Sequence, residues 1–345
     1  MEQYESPPAG SAAVAHPRPV LVISRCLECE PVRYDGSLIH SPHVALLRQM
    51  AECIFVCPEV EIGLGIPRAA VRLVRVNGED RLIQPATGRD LTGEMEEFAS
   101  RFLASLPEVD GFVFKSRSPT SGLGGVKIYP KPEKSAAIAT GRGFFARRVL
   151  ERYPLHPAED EQRLNNRRIR EHFFTSIYAL ARLRTIGATC SRHELIRFHT
   201  EHKLLLMAYN QRLMREMGRL VAEQSRHECS ALMQRYRELM LQSLARPPRY
   251  TSVINVLLHA LGHFSLHLSR EEKELFLRIV ERYRRGSATL AEPRAVLRAW
   301  AVRHRVSVIA DQAFLSPYPE ELQEIPEEET DRGRDMWAHG RESGE

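Results

Sequence analysis

Pro19-Val20-Leu21-Val22-Ile23-Ser24-Arg25-Cys26 begins as a short apolar, β-branched run and ends on polar residues that carry a cysteine. Runs of this kind, bounded by polar or Gly/Pro punctuation, form parallel strands covered on both faces. Two further stretches share the pattern. Ile54-Phe55-Val56 leads into Cys57-Pro58-Glu59, and Gly111-Phe112-Val113-Phe114 leads into Lys115-Ser116-Arg117-Ser118-Pro119-Thr120-Ser121-Gly122. Ligands of open α/β sheets sit beyond the carboxyl ends of the strands. Three loops are therefore expected to converge on one site. Two of them deliver a cysteine and the third delivers Ser121.

Around these runs the pattern predicts an α/β N-terminal domain with a mainly parallel sheet. Pro42 to Met50 reads as a short helix with proline in its first turn, where the missing N–H is harmless. Ala70 to Gln84 reads as a hairpin turning at Asn77-Gly78. Leu91, Met95, Phe98, Phe102 and Leu106 fall at helical spacing and predict a crossover helix into the third strand. Val126 to Tyr129 and a helix from Phe144 to Tyr153 complete the domain. Pro154 to Gln162, proline-containing and acidic, reads as a linker.

Beyond it the strand pattern disappears. Ile169 to Leu183, His193 to Met207, Arg212 to Glu223, Ala231 to Leu244, Ser252 to Leu268 and Glu271 to Arg284 show helical periodicity. They predict an all-α helical-bundle domain of roughly seven or eight helices. Ser191 with Glu194 and Ser269 with Glu272 have capping-box spacing.

At 345 residues two domains are expected. The opening, Met1 to Pro17, lacks a signal-peptide pattern and reads as a disordered tail. No run approaches a membrane span, so no membrane partner is expected and a cytoplasmic location is. The six cysteines, Cys26, Cys29, Cys53, Cys57, Cys190 and Cys229, are then expected as metal ligands, reactive thiols or packing residues rather than disulfides.

The net charge of +5 hides an asymmetry. Arg163 to Ala310 carries 27 Lys and Arg against 12 Asp and Glu, whereas Ser316 to Glu345 carries ten acids against three arginines. So cationic a segment points to a polyanionic partner, most simply nucleic acid; the alternative is an Arg-rich solvated surface.

Cys26 and Cys57, 31 positions apart, do not match the paired CxxC spacing of structural zinc sites. Thiolates from separate loops suit a compact cluster or an open-sited metal, and redox thiols or buried cysteines remain alternatives. Glu59 is placed to act as an acid or base beside them, or to cap a helix.

Val20 to Tyr129 resembles the thiouracil desulfurase family, the YbbK-like proteins, through Ser24-Arg25-Cys26-Leu27, Val32-Arg33-Tyr34-Asp35-Gly36, Val56-Cys57-Pro58-Glu59 and Lys115-Ser116-Arg117-Ser118-Pro119. Arg163 to Leu322 resembles the YbgA-like helical domain through Phe198 to Met207, Asn255-Val256-Leu257-Leu258-His259 and Leu315-Ser316-Pro317-Tyr318-Pro319. Together they are similar to fused tRNA thiouridine desulfidases.

The resemblance implies a layout of tail 1–17, iron–sulfur domain 18–155, linker 156–162, all-α domain 163–322 and acidic tail 323–345. It implies a 4Fe-4S cluster held by three cysteines with one iron open to the sulfur of a thiolated uracil, and no redox partner. Carried across, Cys26 and Cys57 match two cluster ligands and Ser121 stands where the family has the third cysteine. A hydroxyl is a poorer iron ligand than a thiolate. Cys29 is the alternative third donor, with Cys53 less plausible.

Glu59 is the candidate for handling water protons and Ser118 for donating to the base or to cluster sulfur. Lys115, Arg33 and Asp35 are candidates for holding the loop or the nucleotide, and Arg33 with Asp35 also reads as a loop-fixing ion pair.

In the helical half, His199, His202 and Lys203 are expected to pack while turning cationic ends to phosphate. Arg284, Arg285, Arg303 and Arg305 are expected as phosphate contacts. His259, His263 and His267 are expected on one helix face, more simply a hydrogen-bonded or RNA-facing stripe than a metal site. The functions in play are a desulfidase acting on 4-thiouridine or 2-thiouridine in tRNA, a cluster-deficient tRNA-binding relative or substituted variant with Ser121 at the third cysteine position, and a zinc or redox-thiol protein.

Overall fold

The structure is a computed structural model describing residues 16–189, 191–223 and 229–323. The expected tails lie outside the described residues except at their inner ends. There His16 is packed, its Nδ1 2.6 Å from the Arg182 guanidinium and its ring edge-on to Tyr178.

The N-terminal half runs β1 (Val20–Ser24), α1 (Pro42–Met50), β2 (Glu52–Val56), α2 (Pro58–Glu61), β3 (Arg72–Val76), β4 (Glu79–Gln84), β5 (Arg89–Asp90), α3 (Thr92–Ser105), β6 (Gly111–Phe114), β7 (Val126–Tyr129), β8 (Ala139–Gly141), α4 (Phe144–Arg152) and β9 (Ala158–Asp160). The first sheet has the order β2-β1-β6-β9 and all its pairings are parallel. Its central strand β1 is wholly buried, as the uninterrupted apolar run requires. The second sheet, β5-β4-β3-β7-β8, is mostly antiparallel, with only β3 and β7 parallel. Asn77 and Gly78, at φ 50° and 86°, form the hairpin turn between β3 and β4.

The stretch read as a linker instead contributes β9, an edge strand beside β6. Its acids are tied in locally. The Asp160 carboxylate accepts the N–H groups of Gln162 and Arg163, and Glu159 pairs with Arg163 at 2.6 Å.

The helical half follows as α5 (Arg167–Thr189), α6 (Arg192–Glu201), α7 (Lys203–Tyr209), α8 (Gln211–Ala222), α9 (Cys229–Leu244), α10 (Tyr250–Gly262), α11 (Arg270–Arg284), α12 (Ala291–His304) and α13 (Ser307–Ala310). Ser269 and Glu272 form a complete capping box on α11, and Ser191 caps α6 by accepting the Glu194 N–H. The helix expected from His193 to Met207 breaks at His202 (φ −97°, ψ 2°) into α6 and α7. Among the described residues no helix is long and apolar enough to cross a membrane. Cys229 is disulfide-bonded, a departure from the expectation of free thiols throughout.

Alternation along the parallel strands sorts two cores. Val20, Val22, Phe112 and Phe114 pack with Met95, Phe98 and Phe145 of α3 and α4. Leu21, Ile23 and Val113 on the opposite face pack with Val44 and Leu47 of α1 and with Phe173, Phe174, Ile177 and Tyr178 of α5. The helical half thus supplies one cover of the sheet, each such apolar side chain contributing about 1.5–3 kcal/mol. Gly111 is required at this contact, because a Cβ there would stand 2.8 Å from Ile177. Polar pins cross the same seam. Arg184 bonds the buried Asp110 at 3.0 Å, Tyr178 donates to the Met50 carbonyl at 3.2 Å, and Arg170 meets His43 at 3.0 Å.

Candidate active site

The loops after β1, β2 and β6 meet in a cavity of about 240 Å³ that Cys26, Cys57 and Ser121 all line. Cys26 follows β1 by two residues. Cys57 directly follows β2 as the N-cap residue of α2, and the Arg25 N–H bonds the Val56 carbonyl at 2.9 Å to hold the two loops together. The third loop turns at Arg117 (φ 56°) and closes with the Gly122 N–H donating to the Ser118 carbonyl at 2.8 Å. A Cβ on Gly122 would lie 2.7 Å from that carbonyl oxygen, so only glycine permits the closure.

Burial pushes the Cys26 thiol up to about 12, with neighbouring Cys57 adding to the rise, and burial also raises Cys57. Both are therefore neutral thiols at neutral pH unless a cation pairs with them. Reactive redox cysteines are exposed and acidic, whereas Cys26 and Cys57 are both buried. Cys29 and Cys53 do not line the cavity. Cys29 has Glu30, Arg48 and Arg25 as its charged neighbours, and it perturbs Cys53 rather than Cys26.

Two sulfurs and one hydroxyl do not complete a three-thiolate cradle. Among the described residues no group of three or more His, Cys, Asp or Glu is arranged to hold a metal ion. A cluster held by three thiolates does not fit this chain as it stands.

Beside the sulfurs runs a hydroxyl relay. Thr120 Oγ1 donates to Glu59 Oε1 at 3.1 Å, which uses its one proton. The contact of 3.0 Å between Ser118 and Thr120 must then be donated by Ser118. The Ser118 oxygen in turn accepts the N–H groups of Thr120 and Ser121 at 3.3 and 3.1 Å. Proton polarity accordingly runs from Ser118 through Thr120 to Glu59.

Glu59 is fixed from its other side by Arg68, at 2.7 and 2.8 Å, and Arg68 also reaches the Val32 carbonyl and the Cys57 sulfur. Sequence reasoning missed both Arg68 and Thr120. Arg68 stands in a loop nine residues from Glu59, and only the fold turns it inward.

Lys115 lines the cavity and is held by Glu161 at 2.7 Å, which also accepts the Ser116 N–H and hydroxyl. Arg33 lines it too, bonding Ser37 at 2.8 Å and lying 3.7 Å from Asp35. Asp35 is outside the cavity lining and, held low by the Ser37 hydroxyl, serves its own loop.

The helical candidates do not join this site. His202 is buried, stacked on Phe198 at 3.8 Å and bonded to the Phe198 carbonyl. Burial holds it well below the usual histidine range. His199 bonds the Tyr236 hydroxyl at 3.0 Å and is lowered to about 4 by burial, then by Lys203. Both are neutral packing groups that turn no cationic end to phosphate. Arg284 and Arg285 share Glu281, Arg303 pairs with Glu272, and Arg305 is exposed at φ 53°.

The histidine stripe does not exist as one face, because α10 ends at Gly262. His263 lies beside His259, whereas His267 stacks on His304 at 5.2 Å.

A family model described as 2-thiouracil desulfurase matches residues 21–161, and one described as a protein of unknown function, DUF1722, matches residues 203–319. YbbK of Bacillus subtilis (strain 168) is 30% identical over 112 residues, which is 30% of this chain and 74% of YbbK. YbgA of Escherichia coli (strain K12) is 26% identical over 147 residues, 42% of this chain and 85% of YbgA. A solved structure described as the [4Fe-4S]-dependent thiouracil desulfidase TudS is 27% identical and covers 43% of this chain and 94% of its own, at a TM-score of 0.34.

Proposed function

The chain belongs to the 2-thiouracil desulfurase family, and from that membership we propose that it removes sulfur from a thiolated uridine of tRNA, 4-thiouridine or 2-thiouridine. Water supplies the oxygen of the new carbonyl, the carbon–sulfur bond breaks, and sulfur leaves as hydrogen sulfide. No net electrons move, so no redox partner is needed. The observation that carries this reading is the cavity at the ends of β1, β2 and β6, which sets two sulfurs beside the Ser118–Thr120–Glu59 relay.

In this reading Glu59 takes a proton from the attacking water, Arg68 keeps the carboxylate oriented, and Ser118 and Lys115 face the base. Introduced alongside Ser121→Cys, Glu59→Gln is expected to slow sulfur loss about 10²–10⁴-fold, the usual contribution of a positioned acid or base. Nucleoside analysis of digested tRNA measures it, and an unchanged rate removes Glu59 from the chemistry.

A [4Fe-4S] cluster is the cofactor proposed for the family's site, and this chain supplies two of its three thiolates. Ser121 therefore favours a second reading, a relative that binds tRNA without turnover. Anaerobic reconstitution followed by iron, zinc and sulfide analysis separates the two. Bound cluster with loss of thiouridine supports the desulfidase. A colourless protein that binds tRNA supports the second reading. Stoichiometric zinc without sulfide defeats both.

The cationic surplus of residues 163–310 is proposed to hold the tRNA. Each neutralised phosphate is expected to steepen the log–log salt dependence by about 0.7–0.9. Titration of tRNA at several salt concentrations reads this slope, and binding indifferent to salt contradicts it.

A further inference from the structure

A second cavity is larger than the one that holds the cysteines. It lies wholly in the helical half, has a volume of about 420 Å³, and is walled by α5, α7, α10, α11, α12 and the Phe314 segment. Small-molecule sites span roughly 300–1,000 Å³, so one mononucleotide-sized ligand fits it.

Its charge is one-sided: Arg167, Arg168, Arg284 and Arg294 line it against the single carboxylate Glu171. Arg284 is already paired with Glu281 outside the cavity, and among the described residues Arg168 bonds only a backbone carbonyl, that of Pro248 at 3.4 Å. Arg167 and Arg294 have no carboxylate partner among the described residues. The Arg294 guanidinium lies over the Phe314 ring at 4.8 Å, and its Nε is buried without an acceptor among the described residues. Buried donors of this kind are normally satisfied, and an anion in the cavity would provide the acceptor.

The remaining walls suit a flat ring. Tyr250 is exposed at the cavity and Tyr283 is half-buried in its lining. His172, bonded to the Tyr209 hydroxyl at 3.0 Å, is lowered to about 4 by burial, then by Arg168, and so adds no charge. Unpaired guanidinium groups select phosphate through paired N–H donors, and aromatic faces accept any base by stacking.

We propose that this cavity binds one phosphorylated nucleotide, its phosphate against Arg167, Arg168 and Arg294 and its base against Tyr250 and Tyr283. The ligand is either a free nucleoside monophosphate or one nucleotide of an RNA strand. Only the second source rests on the tRNA reading above, since the cavity shares no residue with the cysteine site.

Isothermal titration of the metal-free full chain with UMP, AMP, uridine and a 5′-phosphorylated uridine dinucleotide tests it. Both monophosphates are expected to saturate one site, with uridine at least about tenfold weaker, in keeping with loss of charge-assisted hydrogen bonds. Arg294→Gln and the exposed Arg167→Gln are each expected to weaken UMP about tenfold or more, whereas Arg270→Gln, exposed and outside the cavity, leaves it unchanged. A dinucleotide that binds tighter than UMP identifies RNA as the source, and equal affinities identify the free nucleotide. Absence of saturable UMP binding, or binding that survives Arg167→Gln and Arg294→Gln undiminished, overturns the proposal. Neither result bears on desulfidation, which is read from thiouridine content.

Discussion

Ser121→Cys is expected to convert a chain that loads iron poorly into one that retains about one [4Fe-4S] cluster after anaerobic reconstitution. Ser121 is buried at 4% exposure, lines the same cavity as Cys26 and Cys57, and has its backbone fixed by Ser118. The substitution exchanges one atom, oxygen for sulfur, on a loop already closed by Gly122. A buried thiol costs free energy to ionise, and three thiolates around iron recover it through metal–sulfur bonds that a neutral hydroxyl does not form. Iron and acid-labile sulfide per chain, with visible absorption, measure the outcome. In the same background Cys26→Ala and Cys57→Ala should abolish the signal and Cys29→Ala should not, because Cys29 faces a different set of charges. Equal iron content in the serine and cysteine forms would show that the hydroxyl suffices.

Asp110→Ala is expected to destabilise the fold by about 3–5 kcal/mol, the range found when one member of a buried ion pair is removed. Asp110 is fully buried just before β6. Its carboxylate accepts the Val20 N–H at 2.8 Å and the Arg184 guanidinium at 3.0 Å, so truncation orphans a strand N–H and a charge together. Burial raises the Asp110 carboxyl above the usual carboxylate range, and the Arg184 hydrogen bond opposes that rise. Asp110→Asn keeps an acceptor for Val20 and should cost less. Urea unfolding monitored by far-ultraviolet dichroism reads both. A loss under about 1 kcal/mol for the alanine variant, the value of an exposed pair, would mean that the bond carries no buried-pair energy.

The parallel strands were legible because β1, β2 and β6 are short apolar runs whose neighbours are polar or glycine. The hairpin was legible because Asn77-Gly78 accepts positive φ. β9 was not, since Ala158-Glu159-Asp160 has neither apolar nor β-branched character. It becomes a strand through its pairing with β6 and the local bonds of its acids. Periodicity also carried two helices too far. Gly262 ends α10 before His263, and His202 gives up helical geometry to stack on Phe198.

At the site, the cysteines and Glu59 could be read from strand ends. Arg68 and Thr120 could not, because their roles follow from distances to Glu59 across the fold. The basic surplus was visible as a count, but its distribution was not: Arg170 and Arg184 are committed to the seam with the sheet, and Arg182 to His16 and the Ser316 carbonyl.

Helix α5 belongs to two environments at once. Phe173, Phe174, Ile177 and Tyr178 are embedded in the sheet's core, whereas Arg167, Arg168, Glu171 and His172 wall the helical cavity. Twenty-three helical residues make a rod of about 35 Å. Both sets lie within its first twelve residues, so the arginine cavity is joined to the sheet by packing across one helix rather than by a tether. The floor of that cavity is thus the outer side of the sheet's own cover, like a party wall between two rooms.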